Sequence, residues 1–582
     1  MRLTSLQAML AIWAAYSLIL TLAFWPFITT MAAQGADDYM RLLQVRDWMA
    51  GQSWFDVHQY RMDPPTGADM HWSRLVDLPI AAFLALFRLF LSETGATEAA
   101  MTAVPLVQLL ILMALLRDLM QRLDMPRGAV LIGVAIVPMF PLLLSTFAPM
   151  RIDHHGWQGL AALACANALV AQGSRVAPWL CGGLCGIWLT ISLEGLPLVA
   201  VLAGIYGLRH ALWRQAGLAG FLAALTLAAA GFALATRRIT DLLFIHCDTL
   251  SWPHMAAFCA AAVAALVAVR LPGRETVAGR FAALALVPIV ALPMVVPMGR
   301  CATNPFANLD PVMQHYWYNQ IYEGLPVTAQ LHSTAVMLVW TLGMVAFGWW
   351  AMTGGRLQSL RRDAAWHGLG LYALAAAIFS LTLMRAGIAA QILAIPFCAS
   401  LIYRYLPRAR ALPGLLPRVL ATMACITLIP PTLAPGAERM VENLLRPTSA
   451  DPLVAPVVGS ADCDFTRLNQ LPRGHMFATL DIAPTVLVQT THTVVTGGYH
   501  RNLLKMREVI DAFSGDPAKA EALVRSNRSD YLVMCRASGE TSVYAKRRAD
   551  NLSSAIDQGH APGWLVPVPG FADGALLVYR LR

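Results

Sequence analysis

The sequence predicts a polytopic α-helical membrane protein that ends in a separate α/β domain outside the membrane. Of its 582 residues, 57% are hydrophobic and only 13% are charged, whereas soluble domains carry about 25% charged residues. About thirteen apolar runs are candidates for transmembrane helices, each of which needs about 20 residues to cross a bilayer. From about residue 436 the long apolar runs stop and charged residues return.

The first apolar run, 6–28, follows Arg2 and is long enough to span. The MAAQGA that comes next is faintly similar to a signal-peptide cleavage site. We interpret the run as an uncleaved anchor, because the residues after it look functional and need to be held at the membrane. Twelve further crossings are predicted at 97–117, 128–147, 157–172, 177–193, 195–208, 216–236, 254–270, 281–298, 331–352, 366–384, 387–404 and 415–434.

The arginines between these runs predict the orientation. The run 78–92 is short and carries Arg88, so we interpret it as an amphipathic helix that lies in the interface. If this run does not cross the membrane, the arginine-rich gaps between the crossings, such as 117–127 and 354–362, all fall on one face of the membrane. The positive-inside rule predicts that this face is cytoplasmic. We therefore expect a membrane protein with a cytoplasmic N-terminus, whose outer face receives the C-terminal domain and the external loops 29–96, 148–156, 237–253 and 299–330. In the bacterial inner membrane, which the family resemblance described below implies, this outer face is periplasmic.

The C-terminal region, 436–582, has the alternation expected of a compact α/β domain. Its short β-like runs are 475–481, 530–535 and 575–581, and a helical stretch at 503–524 is interrupted around Gly515, Asp516 and Pro517. The rest of the chain, 1–435, is predicted to be the membrane domain.

Cysteine usage leaves two pairings open. Cys463 with Cys535, and Cys247 with Cys301, could form disulfides outside the cytoplasm, and free thiols are the alternative. Most other cysteines lie inside apolar runs, where they are interpreted as small core residues. No pair of CxxC motifs indicates a structural zinc site.

Two acidic clusters fall on the predicted outer face. Asp37 and Asp38 follow the first anchor directly, and carboxylates beside a low-dielectric phase need a cation, a hydrogen bond or a substrate to compensate for lost solvation. In the loop APMRIDHHGWQ, Asp153 and His155 offer an oxygen and a nitrogen to one divalent cation. The alternative is a solvated loop whose imidazoles contact only water and lipid headgroups.

Two further charged residues reach the same face. Glu323 lies in the long loop 299–330, the kind of loop that often serves as a lid or binding segment. Arg385 lies between two apolar runs, where a guanidinium suits a phosphate. No GxxxxGK[ST] loop is present, which argues against an ATP-driven pump.

These motifs resemble those of a known family, the catalytic subunits of bacterial and archaeal oligosaccharyltransferases. Asp37-Asp38-Tyr39 followed by Arg46-Asp47-Trp48-Met49-Ala50-Gly51 is similar to the D-x-Y and R-D…G of that family's first external loop. Pro65-Thr66-Gly67, then His71-Trp72 and Leu75, is similar to its P-x-G…H-W…L segment. The resemblance implies the GT-C fold of membrane glycosyltransferases that use lipid-phosphosugar donors.

The resemblance also implies roles for single residues. Asp37 corresponds to the aspartate that binds the metal and activates the acceptor, and Asp153 to the first acid of the second-loop metal motif, with His155 in the place of the second. Glu323 corresponds to the acceptor-contacting glutamate, and Arg385 to the arginine that meets the donor phosphate. The implied cofactor is a divalent cation, Mn or Mg. Secondary candidates are Asp38, His154, His71, Trp72 and Glu194.

The sequence departs from the family in the C-terminal domain, which lacks the W-W-D-Y-G acceptor-binding motif. The sequence ATLDIAP lies at the comparable place, and Asp481 is the only residue in it that matches the family motif. We therefore expect a glycosyltransferase that moves a sugar or oligosaccharide from a polyprenyl-phosphate or -pyrophosphate donor to a protein, lipid or glycan acceptor, with transfer to sequons disfavoured. The alternatives are a transporter or flippase for a lipid-linked sugar, and a non-catalytic relative. Nucleic acid is not expected as a partner, because no basic-aromatic cluster is present.

Overall fold

The computed structural model describes residues 4–171, 173–304, 306, 309–354, 364–429, 463–536, 538–571 and 574–582. The chain forms two compact units. The helical unit comprises Met1–Pro26, Phe87–Ala307 and Glu323–Thr448, and the mixed unit comprises Phe27–Leu86, Asn308–Tyr322 and Ser449–Arg582. The predicted domain boundary at 435–436 lies outside the described residues.

The helical unit holds the predicted membrane helices. Seven segments of the described chain are long and apolar enough to cross a membrane: Ser5–Ala23, Glu93–Arg122, Leu193–Trp213, Leu218–Thr236, Val277–Ala302, His332–Thr353 and Met384–Arg410. Shorter apolar helices are Ala177–Ile191, Trp252–Ala268, Ala364–Ser380 and Leu415–Ile426. Other helices of this unit are Arg127–Ala135, Pro141–Thr146, His155–Val170 and Ile239–Leu243. A helical protein with several candidate membrane spans is therefore confirmed, whereas the count of thirteen crossings and their orientation stay predictions.

The mixed unit is built on a five-stranded sheet. The strands are β1 (His475–Ala478), β2 (Thr493–Val494), β3 (Tyr531–Cys535), β4 (Leu565–Pro567) and β5 (Leu576–Leu581), in the order β2-β1-β3-β5-β4. β1 is parallel to β2 and β3, whereas β5 is antiparallel to β3 and β4. The main helices between the strands are Ala483–Gln489, Leu503–Ser514, Pro517–Ser526, Gly539–Ala545 and Leu552–Asp557.

The segment after the first anchor packs on this sheet. Met62 bridges to Val494, and the backbone of Asp63 and Arg61 exchanges hydrogen bonds of 3.0 and 2.9 Å with Val494. The free edge of β2 is thereby covered, which prevents it from pairing with another chain. Met40 and Trp72 join the apolar core that the sheet builds. The segments 27–86 and 309–322, treated above as external loops of a membrane domain, thus belong to one compact unit with the C-terminal sheet.

The segment 27–86 contains two helices, Ala36–Met49 and Arg74–Phe87. A fully buried ion cluster joins them: Asp77 receives Arg41 at 3.0 Å and Arg74 at 3.1 Å, and the side-chain amide of Gln44 donates to it at 2.8 Å. The Arg41 guanidinium also lies 4.4 Å from the ring centroid of Trp72. This cluster fixes the helix whose first turn carries Asp37 and Asp38.

Replacing Asp77 with asparagine is expected to destabilise the protein by roughly 3–5 kcal/mol, because two buried arginines lose the carboxylate that pairs with both of them. The thermal unfolding midpoint of the purified chain in detergent checks this. Asp118→Asn is the matched control, since its pair with Arg122 is exposed and such pairs contribute about 0–1 kcal/mol. Equal midpoints for the two variants would show that the buried cluster does not stabilise the fold.

Both cysteine pairs left open by the sequence are disulfides in the structure. Cys247 is bonded to Cys301 in the helical unit, and Cys463 is bonded to Cys535 in the mixed unit. The second bond ties the chain that enters the sheet to the end of β3. Disulfides persist in oxidising compartments, which agrees with the predicted periplasmic location of these residues.

Candidate functional site

The polar segment 151–155 lies at the start of the helix His155–Val170. The side-chain Oδ1 of Asp153 accepts the backbone N–H of His155 at 2.7 Å, so this carboxylate caps the first turn. Asp153, His154 and His155 are all buried, and the two imidazole rings lie 4.3 Å apart. The cap explains why the helix begins here and why three polar side chains point to one place.

Glu323 is brought to this segment from 168 positions away in the sequence. Its carboxylate lies 3.3 Å from His155 Nε2 and 3.6 Å from Arg151 Nη2. Arg151 also lies 3.2 Å from Asp153. The structure therefore joins the second-loop motif and the loop glutamate into one charged cluster, as the assigned roles require.

Arg385 completes the cluster. It lies in a short 3₁₀ turn, Met384–Ala386, between two helices. Its guanidinium lies 2.7 Å from Glu194 and 3.5 Å from Glu323. Arg385 lies near Glu323 because their backbones are joined next to both residues: the carbonyl of Leu325 accepts the N–H of Met384 at 3.2 Å. Glu194, a secondary candidate, is thus a direct partner of the predicted phosphate-binding arginine.

A small pocket opens beside these groups within the helical unit. Its polar lining residues include His155, Glu194 and Arg385. Its apolar lining residues include Leu198, Phe379, Leu383, Ile388, Ala386 and Ala389. A pocket lined by both charged and apolar side chains has the chemistry to hold the phosphate and the first isoprene units of a polyprenyl lipid.

Two lining residues, Gln158 and Trp188, were missed from the sequence. The Gln158 amide lies 3.4 Å from His155 Nδ1 and 3.4 Å from Glu194, and it receives the Trp188 indole N–H at 3.3 Å. Gln158 lies three positions after His155, one helical turn away. This spacing could have identified Gln158 from the sequence, because residues i and i+3 lie on the same face of a helix.

The charges in the cluster shift one another's pKa. Burial would raise the pKa of Asp153, but the charges of His155 and Arg151 outweigh it and lower the value to about 2. Burial would lower the pKa of His155, but Asp153 and Glu323 outweigh it and raise the value to about 9. Glu323 has its pKa held well below its ordinary value by His155 and Arg385 against the effect of burial. In the metal-free state His155 is therefore a cation at pH 7.

This shift predicts a pH dependence of stability in chelator-treated protein. Because His155 has a raised pKa in the fold, its stabilising contribution is complete below about pH 6.5 and is lost as the pH rises through about 9. The contribution is on the order of 3 kcal/mol at most. The unfolding midpoint of wild type minus that of His155→Gln, measured between pH 6 and 10, should be largest at the acidic end. A difference that does not change with pH would contradict the charged imidazole.

Asp153, His154 and His155 also have a donor set that fits a metal ion. One carboxylate oxygen and two imidazole nitrogens lie within 4.8 Å of one another. Carboxylate and imidazole together suit borderline divalent ions such as Mn²⁺ or Zn²⁺, whereas Mg²⁺ prefers oxygen alone. His154, a secondary candidate in the sequence, is therefore equal to His155 in this group.

Asp37 and Asp38 lie in the mixed unit, in the first turn of the helix Ala36–Met49, where the helix dipole favours negative charge. Asp38 is fully buried and Asp37 is half-buried. The hydroxyl of Tyr499 donates to the carbonyl of Ala36 at 3.3 Å. Burial and then the charges of Asp37, Asp38 and Asp481 raise the pKa of Tyr499 well above its ordinary value.

Trp72 and His71 contact the segment of Tyr499 and His500 in the C-terminal part of the mixed unit. The Trp72 ring lies edge-on to Tyr499 at 5.6 Å, and His71 lies 4.7 Å from His500 between ring centroids. Trp72 is buried, so its role is to pack the first segment against the sheet. His71 is half-buried beside His500.

Asp481 lies at the carboxyl end of β1, between neighbouring buried residues, with its own side chain exposed. The buried carboxylate of Glu540 accepts the backbone N–H of Leu480 at 2.8 Å and that of Asp481 at 3.0 Å, and it also accepts the hydroxyl of Tyr544. After β1 the chain crosses to β2 on one side of the sheet, whereas after β3 it crosses to the strands β4 and β5 on the other side. The chain thus changes direction between the neighbouring strands β1 and β3, and open α/β sheets bind ligands at such a switch point. The sequence did not reveal Glu540, because its partners are about 60 residues away.

Comparison with solved structures identifies the fold. The archaeal oligosaccharyltransferase AglB from Archaeoglobus fulgidus, in complex with an inhibitory peptide and a dolichol-phosphate, matches 99% of this chain and 74% of its own, with a TM-score of 0.60 and 14% identity. Its apo form matches the same shares with a TM-score of 0.63 and 13% identity. ArnT from Cupriavidus metallidurans, bound to undecaprenyl phosphate, matches 97% of both chains, at a TM-score of only 0.44 and 12% identity.

Comparisons with family models and with curated protein sequences found no match. The AglB match nevertheless covers nearly the whole chain, so the predicted resemblance to oligosaccharyltransferases is confirmed at the level of the fold. Another form of AglB was crystallised with zinc and sulfate. The residue roles carried over from the family stay predictions.

Proposed function

We propose that this chain is a GT-C glycosyltransferase of the bacterial inner membrane. It transfers a sugar or oligosaccharide from a polyprenyl-phosphate or -pyrophosphate donor to an acceptor on the periplasmic face. The observation that carries the proposal is the pocket of the helical unit, which is lined by Arg385 and His155 together with apolar side chains. A lipid-linked sugar phosphate has both chemistries in one molecule. The fold shared with AglB supports the same class of reaction.

In this proposal Arg385 binds the phosphate of the donor. A guanidinium pairs with two phosphate oxygens at once. In the donor-free structure the Arg385 guanidinium contacts the carboxylates of Glu194 and Glu323 instead. The incoming phosphate therefore has to displace at least one carboxylate. Glu323 lies farther from Arg385 than Glu194 does, at 3.5 Å against 2.7 Å, and it keeps its contacts with His155 and Arg151 when the phosphate takes Arg385.

The transfer needs an acceptor nucleophile to attack the anomeric carbon while the bond from that carbon to the phosphate oxygen breaks. Asp37 or Glu323 orients the acceptor and takes its proton. Arg385 stabilises the negative charge that develops on the leaving phosphate. Asp153 and His155 would hold the divalent cation, with His154 beside them in the same donor set. When bound, the cation adds positive charge at the leaving phosphate.

The metal assignment rests on the donor set of the second-loop motif. With two imidazoles beside one carboxylate, Mn²⁺ suits this set better than Mg²⁺. His155 has to lose its proton to become a ligand, so cation affinity should rise with pH.

Glycan profiling in the native host tests the function. The gene is deleted and complemented with wild type, Asp37→Asn or the control Asp118→Asn, and lipid-linked sugars and surface glycans are measured by mass spectrometry. We expect the deletion and Asp37→Asn to lose one glycan and accumulate its polyprenyl-linked donor, and the control to restore both. If Asp37→Asn restores the glycan, the chain is not an Asp37-dependent transferase, and a transporter or a binding protein becomes the better account.

A further inference from the structure

Three cysteines converge inside the helical unit, away from the cluster described above. Cys165 lies on the helix His155–Val170, and Cys181 and Cys185 lie one turn apart on Ala177–Ile191. All three side chains are fully buried. The sulfurs of Cys165 and Cys185 are 3.6 Å apart, and all three sulfurs lie within 4.8 Å of one another.

This spacing fits a single ion held by three thiolates. A metal–sulfur bond is about 2.3 Å long, so three sulfurs around one ion in a plane lie about 4 Å apart. The 3.6 Å between Cys165 and Cys185 lies close to this value, and no separation among the three sulfurs exceeds 4.8 Å. A disulfide requires about 2.05 Å between sulfurs and would leave the third thiol without a partner.

The surroundings of the thiols are polar on two sides. Tyr372 is fully buried near all three cysteines, and its hydroxyl has no hydrogen-bond partner among the residues that the structure describes. The guanidinium of Arg209 donates to the carbonyls of Leu169 and Ala364, at 2.9 and 3.1 Å, and its charge acts on Cys181. A fixed positive charge beside a thiol favours the thiolate, which is the form that binds metals.

Helix packing alone does not account for the three sulfurs. The tight contact of the helix Ala177–Ile191 is with the helix Leu218–Thr236, and Gly182 and Gly186 make it, because a Cβ on either would lie within 2.6 Å of that helix. The cysteines face the helix His155–Val170 instead. Small residues suffice there, and alanine is already abundant on that helix.

We propose that Cys165, Cys181 and Cys185 bind one soft monovalent cation, Cu(I), as a structural site. Thiolates select soft ions, and the described residues offer three sulfurs but no imidazole or carboxylate as the fourth ligand that Zn²⁺ prefers. On binding, the thiols lose their protons to solvent. The ion would join the two helices ten residues after His155, so it would hold the helix whose first turn carries the charged cluster.

Copper binding to the purified full-length chain tests the proposal. Cu(I) is supplied without oxygen in competition with a chromogenic chelator. Wild type is compared with the triple variant Cys165→Ser, Cys181→Ser, Cys185→Ser. The matched control replaces the other three free cysteines, Cys259, Cys398 and Cys425, with serine. We expect one equivalent of Cu(I) withheld from the chelator by wild type and by the control, and none by the first triple variant.

A second measurement uses wild type alone, so that the proposal stays testable if the first triple variant does not fold. X-ray absorption at the copper edge should show three sulfur neighbours. Failure of wild type to retain Cu(I), retention by both triple variants, a first shell with nitrogen or oxygen, or stoichiometric binding of Zn²⁺ but not Cu(I) would each overturn the proposal.

Discussion

Replacing Arg385 with alanine is expected to raise the donor concentration for half-maximal transfer by roughly 30-fold to several thousand-fold, which corresponds to about 2–5 kcal/mol. Two effects add. The variant loses the guanidinium that receives the phosphate, and it leaves Glu194 and Glu323 without the cation that lies 2.7 and 3.5 Å from them. Glu194 would then repel the incoming phosphate, whereas Glu323 keeps its contacts with His155 and Arg151.

A double-mutant cycle separates these effects. Adding Glu194→Gln to Arg385→Ala removes this repelling charge and should recover about 1–3 kcal/mol of donor binding. Glu194→Gln alone should weaken binding far less than Arg385→Ala, because the guanidinium remains. The exposed pair of Arg122 and Asp118 supplies a control arginine, Arg122→Ala. Donor titrations of transfer rate check all four variants, and strictly additive effects would contradict direct competition between Glu194 and the phosphate.

Replacing Asp153 with asparagine is expected to lower transfer by at least about 100-fold, with donor binding retained. Asparagine keeps the side-chain oxygen that caps the helix at His155, and it is a good helix cap. The substitution therefore removes the charge and leaves the local geometry in place. What is lost is the anion that Arg151 and His155 contact and one proposed metal ligand.

The measurement for this second variant is the rate of polyprenyl-phosphate release together with an equilibrium binding assay for the donor. His155→Gln serves as its companion, since it removes the neighbouring proposed ligand. If Asp153→Asn binds donor normally and transfers at the wild-type rate, the segment 151–155 has only a structural role.

Local patterns in the sequence predicted much of this molecule. Apolar runs placed the membrane helices within a few residues, for example His332–Thr353 against a predicted 331–352. The strands Tyr531–Cys535 and Leu576–Leu581 fall inside predicted β-like runs. Each of these features is encoded by consecutive side chains, through hydropathy or alternation.

The contacts that build the site could be predicted from the sequence only in part. Motif order placed Asp153, Glu323 and Arg385 on one face, but not the pairing of Arg385 with Glu194, which lie 191 positions apart. The docking of Met62 on Val494 and the Glu540 clamp on the backbone of Asp481 were missed for the same reason. Such pairings depend on how distant segments pack, and no periodicity in either segment specifies the partner.

The most direct test of the account is donor turnover by the purified protein. The lipid-linked sugar that accumulates in the deletion strain is extracted and incubated with wild type, Asp37→Asn, Asp153→Asn or the control Asp118→Asn, and free polyprenyl phosphate or pyrophosphate is measured by mass spectrometry. The account predicts release and sugar transfer by wild type and the control, with both lost in the two active-site variants. Wild type that binds this donor and never releases its carrier would contradict the claim that the chain is a glycosyltransferase.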